Sequence, residues 1–395
     1  MCTLSAFKKI FNNQAWNKLR GINYELSDQT AGKEPFMLHK ESSLQRFIMR
    51  NIVFCFFFAF TFVLAFGQIF PENAAAQEKP EFIVKFATIA PDNTPWANHL
   101  RKMQERIQKE SNGRVKVNIF LGGALGGEVE MVRSLRRGRV QCYGGTAASV
   151  AEGAGIPEFQ LLELPCLFDS LEEADYILDK VVFEDFREIL RKKGFYMAYW
   201  HENGWRNFAT RGVEVHAPED LRKLKMRSQE SKVHLAMYKA LGVQAEAIAT
   251  PEVLGALQTG MVDGFDNTTL FSSASGWYEG IDHYTISQII YQPGVILYSL
   301  EYFESMPKDL QKVLIGNPEE EMAWGRNAVR AMDEPLLQNF KDEGIKVYTL
   351  TPEEKDVFRK LLLPVHKDFE KEVGKELLEK VYAGKKAFAA MMKNK

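Results

Sequence analysis

Residues 82–119, FIVKFATIAPDNTPWANHLRKMQERIQKESNGRVKVNI, contain the pattern that decides the fold. The stretch opens with an apolar strand, and Asp92 to Pro95 form a turn that begins a helix. Apolar residues then recur at the helical positions 96, 100, 103 and 107. From Val115 to Ile119 apolar and polar residues alternate, which is typical of a half-buried strand. A strand, a helix and a second strand in this order predict a right-handed crossover between parallel strands.

The same alternation continues along the chain. A glycine loop at 122–127 precedes a predicted helix at 129–137 and a strand at 140–143. A second α/β set begins near Gly204, and the chain becomes strongly helical beyond Pro307. In the second set we predict helices at 218–221, 232–241 and 251–258, and strands at 224–227, 243–248 and 261–266. The sequence therefore predicts an α/β fold of two units with helices on both faces of the sheet, joined without a Gly/Ser linker, as in a hinged cleft.

The composition is that of an ordinary folded protein. The chain has 395 residues, of which 46% are hydrophobic and 26% are charged, and its formal net charge is −2. This length predicts two or three domains with enough chain to bury a core. The near-neutral charge argues against a nucleic-acid partner, because nucleic-acid binders normally carry a basic stripe.

An apolar segment at residues 47–66 predicts export. Seven of the 28 phenylalanines lie between positions 54 and 66, and the segment carries no charge after Arg50. A basic residue, an apolar stretch and a small-x-small triplet ending at Ala76 are the parts of a secretory signal peptide. An uncleaved membrane anchor is the alternative, because about 20 apolar residues can cross a bilayer.

We assign residues 49–76 to the signal peptide, with Met49 as the start, and residues 1–48 to a mis-assigned upstream start or a disordered leader. Cleavage after Ala76 leaves 319 residues with 42 basic and 47 acidic side chains, a mildly acidic protein suited to the periplasm.

Two cysteines remain after cleavage, Cys142 and Cys166. Export permits a disulfide between them. Both cysteines lie in apolar patterns, however, so we favour two buried free thiols.

The loop Gly122–Gly127 raises the question of a nucleotide site. A dinucleotide-binding loop needs glycines at relative positions one, three and six, but position three is Ala124. A P-loop needs Lys followed by Ser or Thr after its second glycine, whereas Glu128 and Val129 follow here. We therefore predict a backbone turn that opens a cleft, and we expect no cofactor.

Hydrolase and metal-binding motifs do not occur in the sequence. It contains no Gly-x-Ser-x-Gly, His-Glu-x-x-His or Cys-x-x-Cys. His201 and Glu202 are adjacent, but no second histidine follows one helical turn later. After the predicted signal peptide, five further histidines are scattered along the chain and are expected at the surface: His99, His216, His234, His283 and His366.

Two arginines among aromatic residues are the remaining candidates for chemistry. Arg227 lies in the predicted strand at 223–228, and Arg206 lies between Trp200 and Phe208. A guanidinium near the end of a strand costs desolvation unless it meets an anion, and its planar fork matches a carboxylate through two parallel hydrogen bonds. An ordinary surface or salt-bridged arginine is the alternative that the residues alone leave open.

Five stretches, in this order and at this spacing, make the chain resemble a known family: Phe86–Trp96, Gly122–Glu130, Pro157–Pro165, Leu254–Gly264 and Pro307–Gln311. From Glu81 to about Val381 the chain resembles the DctP-type substrate-binding proteins of tripartite ATP-independent periplasmic (TRAP) transporters. The resemblance implies a two-lobe periplasmic binding protein fold with inter-lobe crossing strands, a long hinge-spanning helix and an organic acid bound in the cleft. We assign residues 77–203 plus 292–332 to lobe I and residues 204–291 plus 333–395 to lobe II.

The resemblance also implies the residues of the site. The family has a central arginine that binds the ligand carboxylate, a second arginine that adds charge, an asparagine that closes over the carboxylate, and residues that line the cleft. The resemblance places the central arginine at Arg227, the second arginine at Arg206 and the asparagine at Asn267. The residues that line the cleft correspond to Trp96 and Thr146 in the first lobe. We add two tryptophans as candidate apolar walls, Trp205 and Trp277.

The expected partners are a small organic acid and the membrane subunits of a TRAP permease. The protein is expected to be mostly a monomer, with the helices beyond Thr351 as the alternative surface for a dimer. Two other functions stay open, an exported enzyme that uses Glu202 with His201 and a membrane-tethered sensor that keeps residues 47–66. The ligand also stays open between a dicarboxylate, a keto acid and a branched or aromatic monocarboxylate.

Overall fold

Two long strands form the middle of the sheet and connect its two ends. In the computed structural model, which describes residues 79–394, these strands pair antiparallel along their length. The strands, in chain order, are β1 (Phe82–Thr88), β2 (Val115–Phe120), β3 (Cys142–Thr146), β4 (Phe195–Thr210), β5 (Lys225–Ser228), β6 (Gln244–Ala247), β7 (Gly264–Asn267), β8 (His283–Ser299) and β9 (Lys346–Thr349). The long pair is β4 and β8.

The sheet has parallel strands at both ends and the long antiparallel pair in its middle. Its order is β2-β1-β3-β8-β4-β7-β5-β6, and β9 pairs with β8. β1 is parallel to β2 and β3, and β5 is parallel to β6 and β7. Because β4 and β8 take part in both ends, they are the strands that cross between the two lobes, which confirms the predicted two-lobe α/β fold.

Helices cover both faces of the sheet. In chain order they are α1 (Pro95–Glu110), α2 (Glu128–Arg136), α3 (Ala147–Ala154), α4 (Leu171–Tyr176), α5 (Phe183–Lys192), α6 (Pro218–Leu221), α7 (Lys232–Leu241), α8 (Val253–Gln258), α9 (Thr269–Ala274), α10 (Leu300–Ser305), α11 (Lys308–Ile315), α12 (Pro318–Arg330), α13 (Asp333–Asp342), α14 (Pro352–Val373) and α15 (Lys375–Lys393). Three 3₁₀ helices and a π-helical turn complete the set: Pro157–Glu163, Thr250–Glu252, Trp277–Gly280 and Ile177–Val181.

Local signals explain where several helices begin and end. Thr94 caps α1 by accepting a hydrogen bond from the Ala97 amide at 3.2 Å, and Pro95 occupies the first helical position. Ser231 caps α7, and Gly242 ends it with a φ of 73°. The prediction of a helix at 232–241 is confirmed with the same bounds.

The longest helix among the described residues, α14, packs against elements of both predicted lobes. It contacts α7 beside the second set of parallel strands and the 3₁₀ helix Pro157–Glu163, which precedes α4. It is therefore the helix that spans the two lobes. The last helix, α15, packs against α4 and the π-helical turn, residues that the sequence assigned to lobe I.

Cys142 and Cys166 are both buried and free, as the sequence predicted. Within the described part of the chain, no helix is long and apolar enough to cross a membrane. The predictions for residues 1–48, for the signal peptide at 49–76 and for cleavage after Ala76 lie outside the described residues.

Candidate ligand-binding site

Arg227 on β5 is a buried cation that forms no salt bridge with any residue of 79–394. Only 1% of the residue is exposed, and its Nε and Nη2 donate to the Ile248 carbonyl at 3.0 and 2.8 Å. Its guanidinium carbon lies 5.1 Å from the centre of the Trp277 ring. Among the described residues, no carboxylate lies within 4.0 Å of it. Burial, reinforced by repulsion from Arg206, lowers the pKa of Arg227 to about 10.

Arg206 on β4 is equally buried but is neutralised inside the protein. Its Nε donates to Asp266 Oδ2 at 2.5 Å, and its Nη2 donates to the Asp266 carbonyl. Burial opposes the charge of Arg206, but the attraction of Asp266 outweighs it and raises the pKa of Arg206. The remaining nitrogen, Nη1, donates to three amide oxygens, those of Gln292 at 3.0 Å, Gln229 at 3.1 Å and Asn267 at 3.3 Å.

Asn267 ends β7 beside Arg206. Its Oδ1 accepts from Arg206 and, at 2.8 Å, from the backbone amide of Thr268. Its Nδ2 donates to no group among the described residues, and the residue is 5% exposed. The amide is therefore held by its oxygen, with its donor end left for another acceptor.

Thr146 lies at the end of β3, on the opposite side of the cleft. Its backbone amide and its hydroxyl both donate to Glu128 Oε1 at 3.1 Å. Gln229 donates across the cleft to the Thr146 hydroxyl at 2.9 Å and to Glu128 Oε2 at 3.4 Å. Burial raises the pKa of Glu128, even though these donors favour its charged form.

Several residues of the hydrogen-bonded cluster around Arg206 were missed from the sequence, among them Asp266, Glu128, Gln229, Gln292, Glu163 and Tyr238. Asp266 precedes Asn267 directly, and Gln229 follows Arg227 by two positions, so proximity to the predicted residues was an available signal. Glu128 lies in the stretch that supported the family resemblance. Gln292 has no comparable signal, because only the pairing of β8 with β4 brings it to Arg206.

Trp96 forms one wall of a small cavity of about 20 Å³ next to this cluster. Its indole Nε1 donates to the Glu202 carbonyl at 2.8 Å, and its ring stacks on His201 with 3.6 Å between the ring centres. The apolar part of the lining consists of Ala90, Pro91, Trp96, Leu270 and Phe271.

Phe271 connects this cavity to Arg227. Its ring lies 5.3 Å from the ring of Trp277, on which Arg227 rests. Trp205 lies on the face of β4 that points away from the cleft. Neighbouring residues of an extended strand point to opposite faces, and Arg206 occupies the cleft face. The ring of Trp205 packs edge-on against Tyr291 at 5.4 Å. Of the seven predicted residues, six therefore lie around the cleft and Trp205 lies behind it.

The glycine loop forms a turn at the rim of the cleft, as predicted. Gly123 has a φ of 72°, and a Cβ at this position would lie 2.8 Å from the Ile89 side chain and 3.5 Å from Pro251. Only glycine fits a position with this backbone angle and this close approach. The loop thus brings the segment after β2 against the segment before α8.

A second polar cluster, buried except for the partly exposed Glu321 and Arg330, lies behind Trp96. It consists of His99, His201, Glu202, Glu321 and Arg330, and we call it the hinge cluster. His99 Nδ1 lies 3.0 Å from His201 Nε2, and the other nitrogen of His99 bonds Glu321. Arg330 donates to Glu202 at 2.6 Å. Glu202 and His201, the candidates for enzymatic catalysis, are both engaged in this cluster.

The expectation that the scattered histidines lie at the surface is wrong for four of the five. His99, His234, His283 and His366 are buried, whereas the side chain of His216 is 42% exposed. His99 shows the reason, since it follows Trp96 by three positions and so shares the buried face of α1.

Together, two lobes joined by crossing strands and a cleft with an uncompensated arginine define the class of two-lobed α/β solute-binding proteins. Residues 86–372 match the family described as "Bacterial extracellular solute-binding protein, family 7" (DctP), and the chain belongs to this family. Its members are non-enzymatic proteins that bind small organic acids and work with TRAP membrane permeases.

Known relatives agree with this assignment. The chain is similar to the C4-dicarboxylate-binding periplasmic protein DctP of Rhodobacter capsulatus, with 28% identity over 76% of this chain and 90% of that protein. It is also similar to the sugar acid binding protein DctPAm of Advenella mimigardefordensis, whose crystal structure contains galactonate. The two structures superpose with a TM-score of 0.74 and 30% identity, over 78% of this chain and 99% of that chain. A TRAP periplasmic solute-binding protein of Sulfurospirillum deleyianum with bound succinate gives a TM-score of 0.72 and 27% identity, over 77% and 99% of the chains.

Proposed function

We propose that the protein captures the carboxylate of a small organic acid between its lobes and delivers the closed complex to a TRAP-type permease. The observation that carries this proposal is Arg227, a buried guanidinium that no carboxylate of the described chain neutralises. A buried charge is costly unless it is paired, and a ligand carboxylate is the partner that a guanidinium fork fits best. Relatives that bind succinate and galactonate support the same ligand chemistry.

The other residues take distinct roles in the proposed site. Asn267 donates its free amide to the carboxylate that Arg227 holds. Arg206, already neutralised by Asp266, orients Asn267 rather than binding the anion itself. Trp277 supports the Arg227 guanidinium, and Trp96 and Thr146 form the wall of the first lobe. Trp205 stabilises the crossing strand from behind.

Closure follows from a hinge in the crossing strands. We assign the lobes to residues 77–203 plus 292–332 and residues 204–291 plus 333–395. The bonds from Gln229 to Thr146 and Glu128 join the two sides and favour the closed form. A ligand that contacts both sides adds to this preference, so its binding shifts the population towards the form that the permease recognises.

The protein is proposed to act in the periplasm, after cleavage of the signal peptide 49–76. We also propose that it is a monomer, because its own chain covers the inner face of α15. Phe388 packs against Tyr176 at 5.6 Å, and Lys380 pairs with Asp185 at 2.5 Å. A dimer through the C-terminal helices would have to use the outer face.

The test compares two variants on strand β5 that lose the same charge. A thermal-shift screen of organic acids identifies a ligand, and calorimetry measures its affinity for Arg227→Gln and for Lys225→Gln, whose side chain is exposed. Loss of the bidentate contact is expected to weaken binding by about 100-fold or more in Arg227→Gln, whereas Lys225→Gln binds normally. Unchanged affinity in a folded Arg227→Gln protein would reject the proposal.

A further inference from the structure

We propose that the cleft selects a monocarboxylate with a compact apolar tail. This inference rests on the proposed function and narrows it, because the same site would otherwise accept dicarboxylates and polyhydroxylated acids. It depends on the charge balance of the cleft, on the polar atoms of the cavity and on the apolar walls that face the tail.

The charge balance leaves room for one anion. Within residues 79–394, no carboxylate pairs with Arg227, whereas Arg206 has Asp266 as its counter-ion. All three nitrogens of Arg206 already donate to protein oxygens. A second carboxylate on the ligand would have to displace Asp266, and it would also approach the buried carboxyl group of Glu128.

The cavity offers no partner for a second charge. None of the nine residues that line it carries a charged side chain. A carboxylate placed there would be desolvated and unpaired, which is unfavourable in a buried site.

The polar side chains of the lining are already partly used within the protein. Asn203 donates to Gln292 Oε1 at 2.6 Å, and the Thr88 hydroxyl accepts from the Ala90 amide at 3.1 Å. The Thr94 hydroxyl donates to the Pro91 carbonyl at 2.8 Å and also caps α1. Because only three of the nine lining residues have polar side chains other than the indole of Trp96, a ligand with several hydroxyl groups would leave some of them unsatisfied here, and an apolar tail would not.

The apolar walls come from both lobes and suit a compact tail. Trp96 is held in place by the stacked His201, by its bond to Glu202 and by Gly294, where a Cβ would lie 2.7 Å from the indole. Leu270 and Phe271 face it from α9. Because Trp96 and α9 belong to different lobes, hinge opening sets the size of the space between them.

The test uses three acids with the same carboxylate and similar length. In 4-methylpentanoate an isopropyl group stands where succinate has its second carboxylate, and erythronate carries hydroxyl groups on a four-carbon chain. Calorimetry of the mature protein that remains after signal-peptide cleavage is expected to give at least about tenfold tighter binding of 4-methylpentanoate than of either other acid. Equal or tighter binding of succinate or erythronate overturns the inference.

The same substitution at two leucines tests whether the cavity wall causes the preference for 4-methylpentanoate. Leu270→Asn places an amide in the cavity wall and is expected to reduce the preference for 4-methylpentanoate over erythronate by about tenfold. Leu361→Asn on the exposed side of α14 makes the same change outside the cleft and leaves the preference unchanged. The ratio of two affinities does not respond to a general loss of stability, so a preference unchanged in Leu270→Asn rejects the assignment.

Failure of this inference differs from failure of the proposed function. If succinate or erythronate binds best and Arg227→Gln abolishes that binding, the apolar tail is wrong and the carboxylate site stands. If none of the three acids binds in an Arg227-dependent way, both are rejected.

Discussion

The cleft and the hinge cluster are both buried and charged, yet they balance their charges differently. In the hinge cluster Glu202 is bound by Arg330 at 2.6 Å, and Arg330 in turn bonds Asp175 at 2.7 Å. In the cleft Arg206 pairs with Asp266, whereas the partners of the Arg227 guanidinium within the described part of the chain are the Ile248 carbonyl and the Trp277 ring. The difference is the basis of two expectations: the hinge cluster stabilises the fold, and the cleft, as proposed above, keeps the charge of Arg227 for a ligand.

The energetics of buried ions explain why this difference matters. Removing one member of a buried pair is strongly destabilising, because the other member is left without a partner. Removing a buried ion that has no partner relieves a desolvation cost instead. The same substitution should therefore have opposite effects on stability in the two regions.

The largest effect is expected for Arg330→Gln in the hinge cluster. This change leaves Glu202, whose side chain is 1% exposed, without its cation, whereas Asp175 keeps a salt bridge to Arg326 at 3.1 Å. We expect the free energy of unfolding to fall by about 3 kcal/mol, at the lower end for a buried pair because Arg330 is partly exposed. Urea denaturation at neutral pH measures the change as a lower midpoint with an unchanged slope.

Arg227→Gln is the matched comparison for this prediction. It removes the same group from the cleft, where no carboxylate depends on it, so stability should stay within about 1 kcal/mol of the parent or increase. If Arg227→Gln destabilised the protein as strongly as Arg330→Gln, the contrast between the two regions would be wrong.

The hinge cluster also predicts a dependence of stability on pH. Burial, together with the neighbouring His99, lowers the pKa of His201 well below its usual value. The unfolded chain therefore binds a proton at His201 below about pH 6.5, where the folded protein does not. The free energy of unfolding should fall with decreasing pH below this value, by up to about 1.4 kcal/mol per pH unit from this residue.

Urea denaturation between pH 7.5 and pH 5 tests this dependence with two histidine variants. In His201→Asn the free energy of unfolding should fall less steeply as the pH decreases. His216 has a pKa raised by its hydrogen bond to Glu214, so it stabilises the fold at low pH and this contribution is lost as the pH rises. His216→Asn should therefore change the profile in the opposite sense, and identical profiles for both variants would contradict the assignment.

The sequence predicts local structure well because its signals are local. Capping residues and apolar periodicity predict α7 with its observed bounds, and the strand around Arg227 is shifted by one residue only. β9 was missed because its four residues lie between two strong helical patterns. The strand and helix pattern likewise did not reveal the length of β4 and β8, which are buried on both faces and lack clean alternation.

The candidate site was less predictable, because its chemistry depends on contacts between distant positions. Arg206 is neutralised by Asp266, 60 positions later, and His99 meets His201 across 102 positions. These pairs follow from strand order and helix packing, which the residues alone do not specify. The resemblance assigns different roles to Arg227 and Arg206, and the structure adds a difference in charge pairing: among the described residues, Asp266 pairs with Arg206, whereas no carboxylate lies within 4.0 Å of Arg227.

The smallest expected effect concerns Trp96, which contacts both regions. Trp96→Phe keeps an aromatic ring against His201 but removes the indole N–H that bonds the Glu202 carbonyl at 2.8 Å. We expect about 1 kcal/mol less stability, from the lost hydrogen bond, and a loss of affinity of about threefold for an acid that binds, because the wall of the cavity becomes smaller and less fixed. Tyr199→Phe, which loses only a hydroxyl contact to the Met103 sulfur at 3.6 Å, is the control that leaves affinity unchanged. If Trp96→Phe lowered stability without changing affinity, Trp96 would belong to the hinge cluster alone, and the two regions would be independent.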